Sequence, residues 1–516
     1  MMVHTQTKQP PGAADDAPER GQWSRLGERT AVVGFFLYAA FAPHSIAAAE
    51  ISLAIVGVGW LIRTVSSNKA GFRRTQFDLP IWLFFLWTVA SSLLSQEPRI
   101  SIAKIQSTCV VLLFYLTQAI VTRRTAVLLV AVMILSGSVG TLYSVYDLVR
   151  GRGVLIESVS PASPLQALHL RAGDAIWRVA GRRIHSVADI DEVIRNAPAE
   201  SKLTVSVISQ GEHVERPGLI VTDTIRQRPS PAGIVGSRPT HRFRASGWTR
   251  HYETYSEILQ VLAQLALGLV VANYKNHGLN FRAKLGSAAF ALLALGVVLT
   301  AMRTVLVALA IGAFVVSVRG FRTFGTLGPL RGRARVLSLA GICLLLAFGA
   351  FFVYQTRAQH ALSLQDPSSS LRVQVARVGA SRLMLHPLFG HGMDSMHVHW
   401  KEWGFPGTDM LHLHSTPLQL GFDRGLPALV FWLWIMWIFW RTASRGEKSL
   451  RDSSETNRYG LLLGATAALA GFFASSLVNY NFGDGEVALV FWWLLGIVVV
   501  LTTVSENPPE NSARAA

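Results

Sequence analysis

Six of the chain's 15 histidines fall between His386 and His414. They are His386, His391, His397, His399, His412 and His414, and the same stretch carries the turn sequence HPLFGHGMDS. Imidazoles so grouped have three uses. Several together can ligate a transition metal. One can serve as a general base, since its proton affinity lies near neutral pH. All can be plain polar side chains on a wet loop. Metal ligation has the least support, because no HExxH or Cys/His spacing occurs and the acids nearby are Asp394, Glu402 and Asp409.

Arginines form the second group. Arg303 lies in VLTAMRTVLVAL, between two apolar runs. An ionised side chain at membrane depth is costly and marks a function or a partner, unless it snorkels to the interface. The stretch Thr222–Gly247 carries Arg226, Arg228, Arg238, Arg242 and Arg244. Such a run is either solvated or aimed at phosphate oxygens, which guanidinium forks bind in a bidentate way. Arg372, Arg377 and Arg382 open the histidine-rich loop. They are either secondary anion ligands or surface charges of a loop helix.

The elements that must hold these residues are membrane helices. Half the residues are hydrophobic (50%) and only 15% are charged, against about a quarter in soluble domains. The apolar residues come in blocks, and runs of about 17–25 residues can cross a bilayer as helices. The expected fold class is an all-α polytopic membrane protein of about 12 transmembrane helices with a small α+β insert. Five helices are expected in 29–149, four in 251–355 and three in 426–503. Lys and Arg mark alternate loops, for example Arg63, Lys69, Arg73 and Arg74, and later Arg319, Arg322, Arg331, Arg333 and Arg335. Those loops are then cytoplasmic, with tails 1–28 and 504–516 on the same side. The insertion 151–221, the basic linker 222–250 and the histidine-rich loop 356–425 are expected on the periplasmic side. The first apolar run has no clean cleavage site and is expected to remain as the first membrane helix.

The net charge of +17 is accounted for by these loops. No basic face with interleaved aromatics appears in a soluble domain, so nucleic acid is not an expected partner. Cys109 and Cys343 both lie in apolar runs, which argues against a disulfide or a cysteine metal site. A transporter would call for embedded acids or paired half-symmetry. Glu50 and Asp147 lie near helix ends, and no symmetry is visible. No HExxH or Gly-x-Ser-x-Gly lies on a helix to support an intramembrane protease.

The insertion Gly151–Val221 reads strand, loop, helix, strand. Its LRAGDAIWRVAGRRI and SVADIDEVI segments resemble a PDZ domain of the bacterial protease type. The resemblance implies strand addition of a peptide or protein partner along the edge Gly153–Ser158, at Gly153, Val154, Leu155 and Ile156. The other reading is a degenerate module that only packs on the membrane domain.

Residues Ser381–Trp432 resemble the signature segment of the O-antigen ligase and polymerase superfamily. The carriers are Pro387, Phe389, Gly390, Gly392, His414, Ser415, Gly425 and Pro427. Ser415 stands where Asn is more frequent. RASGWTRHYETYSEILQVLA resembles the superfamily's Arg-x-x-Gly stretch, with Arg244 and Gly247. VLTAMRTVLVAL partly resembles its Ser-Arg-Gly helix junction, with Arg303. The resemblance implies a bacterial inner-membrane glycosyltransferase that is inverting and needs neither metal nor other cofactor. It would use a lipid-linked oligosaccharide donor, a glycan on undecaprenyl pyrophosphate, taken from the membrane lipid. The acceptor would be lipid A-core in a ligase, another lipid-linked glycan in an O-antigen or exopolysaccharide polymerase, or a protein in a related oligosaccharyltransferase. The essential histidine maps onto His414, with His412 as the alternative. Arg303 and Arg244 would stabilise the departing pyrophosphate, and Arg372, Arg377, Arg382 and Ser415 would contact substrate.

Overall fold

The computed structural model describes residues 16–503 apart from 210, 211, 242, 250, 322–340, 342, 345, 355–366 and 408. Arg242, Arg322, Arg331, Arg333 and Arg335 of the charge pattern lie outside the described residues.

The apolar blocks form α1 (Asp16–Phe41), α2 (Ile46–Ser67), α3 (Asp78–Leu94), α4 (Leu112–Ile120) and α5 (Arg123–Arg150). The first helix begins well before residue 29, where the membrane segments are expected to start. The expected fourth helix divides into a 3-10 turn over Ile105–Val111 followed by α4. Polar caps set the helix starts: Ser45 accepts from Ala48 N ahead of α2, and Thr122 accepts from Thr125 N ahead of α5. After the insertion come α7 (Tyr252–His277), α8 (Phe281–Leu299) and α9 (Arg303–Phe321), and the described residues 346–354 are helical. The loop contains α10 (Pro367–Leu383) and α11 (Thr416–Arg424), and α12 (Leu426–Leu450), α13 (Thr456–Ser476) and α14 (Gly485–Thr502) close the bundle. Among the described residues, eight helices are long and apolar enough to cross a membrane, and α3 and Ile105–Ile120 are shorter apolar segments.

Small residues let the inner helices approach closely. Gly268 of α7 lies against Gly460 and Gly464 of α13, and a Cβ there would overlap the Gly460 carbonyl. Outward-facing Ile51, Leu61, Leu135 and Leu142 are exposed, as a lipid-facing surface requires.

The insertion folds as an antiparallel sheet of β1 (Arg152–Val159), β2 (Ala175–Val179), β3 (Arg182–Arg183), β4 (Ser201–Ser209), β5 (Glu212–Val221) and β6 (Ile234–Thr240), with α6 (Val187–Asn196) between β3 and β4. The strand order is β5-β4-β2-β1-β6, with β3 on β2. Ser186 and Asp189 form a capping box at the start of α6. Val154, Ile156, Ile176, Ile190, Ile194 and Val205 share its core.

Two expectations change here. The stretch expected to be a linker supplies a strand of the sheet, β6. The edge expected to receive a peptide is also occupied: Leu155 and Ile156 pair with Arg238 and Ser237 of β6, while Val154 and Leu155 face Ile176 and Ala175 of β2. A strand has two edges, so nothing can be added to β1 while β6 stays. Pro239 and Gly236 fit an edge strand, where a missing N–H costs little.

The module is fastened to the membrane helices. Arg152, buried, pairs with Asp147 at the end of α5 and lies 4.4 Å over the Phe243 ring. Arg183 donates to the Tyr143 hydroxyl at 2.8 Å, and Tyr143 stacks on Trp248 of the linker at 4.4 Å.

Candidate functional site

The site gathers at one end of the bundle. Helices α8 and α9 are joined by Thr300, Ala301 and Met302, with Ala301 at φ +51°. A non-glycine residue rarely holds that conformation without a reason. Here it reverses the chain so that α9 opens on Arg303. The Arg303 guanidinium donates to Ser369 Oγ at 3.2 Å. Ser369 lies in the first turn of α10, and Arg372 follows one turn later on the same face. Arg372 stands 3.7 Å from Glu253 Oε1 on α7.

Arg244 reaches the same neighbourhood from the linker. It is buried, 4.2 Å over the Tyr252 ring. Ala245 N donates to the Leu299 carbonyl at 2.9 Å, which ties this segment to the Arg303 turn. Gly247 has φ +54°, and a Cβ on it would press on the Tyr255 ring at 2.8 Å.

The histidine pair arrives from the start of α11. Leu413 is buried among Val375, Met396 and Phe422, and its N–H donates to Gln419 Oε1 at 2.7 Å. With Leu413 pointing inward, His412 and His414 both project the other way, and their rings lie 4.4 Å apart. His414 holds φ +51° and Leu411 φ +64°, so two left-handed residues shape this approach. His414 Nε2 is buried and has no hydrogen-bond partner among the described residues. Burial, with smaller contributions from His412 and Arg372, pushes the His414 imidazole down to about 2. The ring is therefore neutral at physiological pH, with a lone pair available for a hydroxyl proton. His412 is shifted the same way, chiefly by burial.

The glycine turn of the motif has a structural task. Gly390 and Gly392 adopt positive φ, and His391 N and Gly392 N donate to the Phe422 and Asp423 carbonyls at 2.8 and 3.0 Å. Leu426 N donates to the Pro387 carbonyl at 2.7 Å. A Cβ on Gly425 would overlap the Leu388 carbonyl. The turn thus caps the end of α11 and fixes the helix that carries the histidine pair at its start.

The structure brings His412, His414, Arg372, Arg303 and Arg244 to one end of the bundle. Arg377 is exposed on another side of α10. Arg382 is engaged in the loop, donating through Nε to the Trp403 carbonyl at 3.2 Å. Ser415 is the N-cap residue of α11 but makes no side-chain cap bond. The remaining histidines have other partners: His386 packs edge-on against the His391 ring, His391 is wrapped by Phe422 and Trp403, His397 pairs with Asp409, and His399 lies 2.7 Å from Glu402. No group of three or more metal-ligating side chains converges among the described residues.

Four residues were missed in the sequence reading. Glu253 and Glu257 lie on α7, Asn479 follows α13 and Asp484 precedes α14. All border a cavity of about 880 Å³ beside His412. A signal was present for Glu257, an acid inside an expected membrane helix.

Residues 288–433, from α8 into α12, match the family model described as O-antigen ligase. Residues 128–216 match the PDZ domain model. The superfamily resemblance and the PDZ insertion both stand, and the family match supports glycan transfer of the O-antigen ligase type by a multi-pass membrane protein. The PDZ match begins inside α5, and β6 lies beyond its end. A magnetosome formation protease, MamE of Magnetospirillum gryphiswaldense, is 26% identical over 99 residues. That alignment covers 18% of this chain and 13% of the protease, so the chain spans only a small part of that relative.

Proposed function

We propose that the chain transfers a glycan from undecaprenyl pyrophosphate to an acceptor hydroxyl at the periplasmic face of the inner membrane, with inversion at the anomeric carbon. The acceptor oxygen attacks that carbon as its bond to the pyrophosphate breaks. The hydroxyl proton passes to His414 Nε2, and the departing pyrophosphate is met by Arg303, Arg372 and Arg244. The observation that carries this reading is a neutral histidine with an unpartnered nitrogen beside converging arginines, at the end of the bundle that bears the large loops. Fixed cationic donors aimed at developing charge are a large source of rate enhancement. The PDZ-like module is anchored beside Arg244, with Arg152 over the adjacent Phe243 ring and Arg183 on Tyr143, which stacks on Trp248, and a peptide partner would have to displace β6 or use another edge.

The test is surface glycan in cells carrying His414→Ala, beside wild type and null, with protein level checked. A mutant that matches the null supports the reading. Loss of glycan on lipid A marks a ligase, single-repeat glycans mark a polymerase, and loss from a protein marks an oligosaccharyltransferase. Wild-type glycan from His414→Ala would sink the reading.

A further inference from the structure

We propose that the cavity beside His412 is the acceptor subsite, and that it takes a neutral or amino sugar and rejects an acidic one. The inference rests on the glycan-transfer reading above and deepens it.

The size suits a saccharide, since small-molecule sites run from roughly 300 to 1,000 Å³ and this one is about 880 Å³. Its wall is acidic. Asp394 is paired with Lys104 at 3.0 Å, and Asp423 lies beside Arg424. That leaves Glu50, Glu253, Glu257 and Asp484, of which, among the described residues, Glu253 alone lies against an arginine, Arg372. Aromatic rings, including Tyr480, Phe482 and Trp492, supply flat apolar faces between the acids. Carboxylates accept strong hydrogen bonds from hydroxyl and ammonium groups, and apolar faces suit the C–H face of a sugar ring. A pyrophosphate or a sugar acid would meet like charge here. Arg244, Arg303 and Arg372 do not line the cavity, and Arg372 meets its wall only at Glu253.

Glu257 gives an independent reason to expect a ligand. It is 2% exposed. Its Oε1 accepts from Ser475 Oγ and, at 3.1 Å, from Asn479 Nδ2. Its Oε2 is buried and closes no hydrogen bond among the described residues, although the Asn481 side chain lies in its vicinity, and the residue borders the cavity. A buried carboxylate oxygen left without a donor is costly, and a sugar hydroxyl or ammonium would supply one. The Asn479 amide also lies 2.9 Å from Thr304 Oγ1, so the acceptor wall is joined to the residue following Arg303.

The test uses the full chain in detergent micelles, with binding followed by native mass spectrometry. The probes are cellobiose, a glucosamine disaccharide, digalacturonic acid and inorganic pyrophosphate. The two non-acidic disaccharides are expected to bind at least 10-fold more tightly than digalacturonic acid. Glu257→Gln and Asp484→Asn should each erode the preference for the glucosamine disaccharide several-fold while pyrophosphate binding stays unchanged. Asp484→Asn, at the rim, decides if the Glu257 variant fails to fold. Equal binding of the acidic disaccharide, a preference that the variants do not move, or no disaccharide binding overturns the proposal. Failure of the glycan-transfer reading looks different: His414→Ala retains transfer, whatever the disaccharides do.

Discussion

His391 and His414 belong to one loop, and both are held neutral by burial, yet they are built for opposite ends. His391 is fully buried, stacked 4.5 Å from the Phe422 ring, with Nε2 donating to the Arg382 carbonyl at 2.9 Å and Nδ1 against the Gln96 amide. Both nitrogens are spent on the protein. His414 leaves Nε2 without a partner, beside His412 and near Arg372. A satisfied imidazole holds structure together, whereas a desolvated one with an open lone pair is available to a ligand. Histidine density alone therefore says little, and hydrogen-bond satisfaction separates the two uses.

Substitution should separate them most sharply. His414→Ala is expected to lower glycan transfer by about 10²–10⁴-fold with little change in melting temperature. Comparable transfer in both His414→Ala and His391→Ala proteins would erase the contrast. Arg303→Ala and Arg372→Ala should each cost about 10²–10³-fold in transfer rate, with Arg303→Lys recovering only part because a point charge lacks the bidentate fork. Arg377→Ala, on the exposed side of the same helix, is the internal control and should leave transfer unchanged.

Stability should respond in the reverse order. His391→Ala strands the Arg382 carbonyl and opens a void beside Phe422, and is expected to cost about 1–3 kcal/mol, read as a lower melting temperature with transfer retained in the folded fraction. The smallest effect is a pH slope. Burial holds His391 down to about 4, while the unfolded chain takes up that proton near about 6.5. Between these values the unfolded state binds more protons, so its contribution is full above about pH 6.5 and falls as pH drops toward 4. His391→Gln should flatten the melting temperature across that window. Transfer itself should show no acidic limb near pH 6.5, because His414 is already neutral there; a limb at that pH would mean that the acting imidazole is an ordinary one.

Much of the frame was legible because it depends on local composition. Apolar blocks marked the helices, and Arg303 was placed at a helix junction because VLTAMRTVLVAL interrupts an apolar pattern with one cation. The Arg-Ala-Gly-Asp turn marked the inserted module. The strand β6 was not legible: Gly236, Arg238 and Pro239 break the period-two pattern, and only the open edge of β1, remote in sequence, makes a strand of them. Asp147 read as a stray acid near a helix end, and the structure makes it the partner of Arg152.

From the sequence alone follow a multi-pass membrane protein, a segment that resembles the O-antigen ligase family and a PDZ-like insertion, because bilayer-length apolar runs and ordered motifs are properties of neighbours along the chain. Tertiary structure decided which charges face one another. It set His412 and His414 on one side of a buried Leu413, brought Arg372 from α10 to Arg303 on α9, and left one oxygen of Glu257 beside a cavity. Those relations join residues far apart in sequence, and burial, which fixes their chemistry, exists only once the helices have packed.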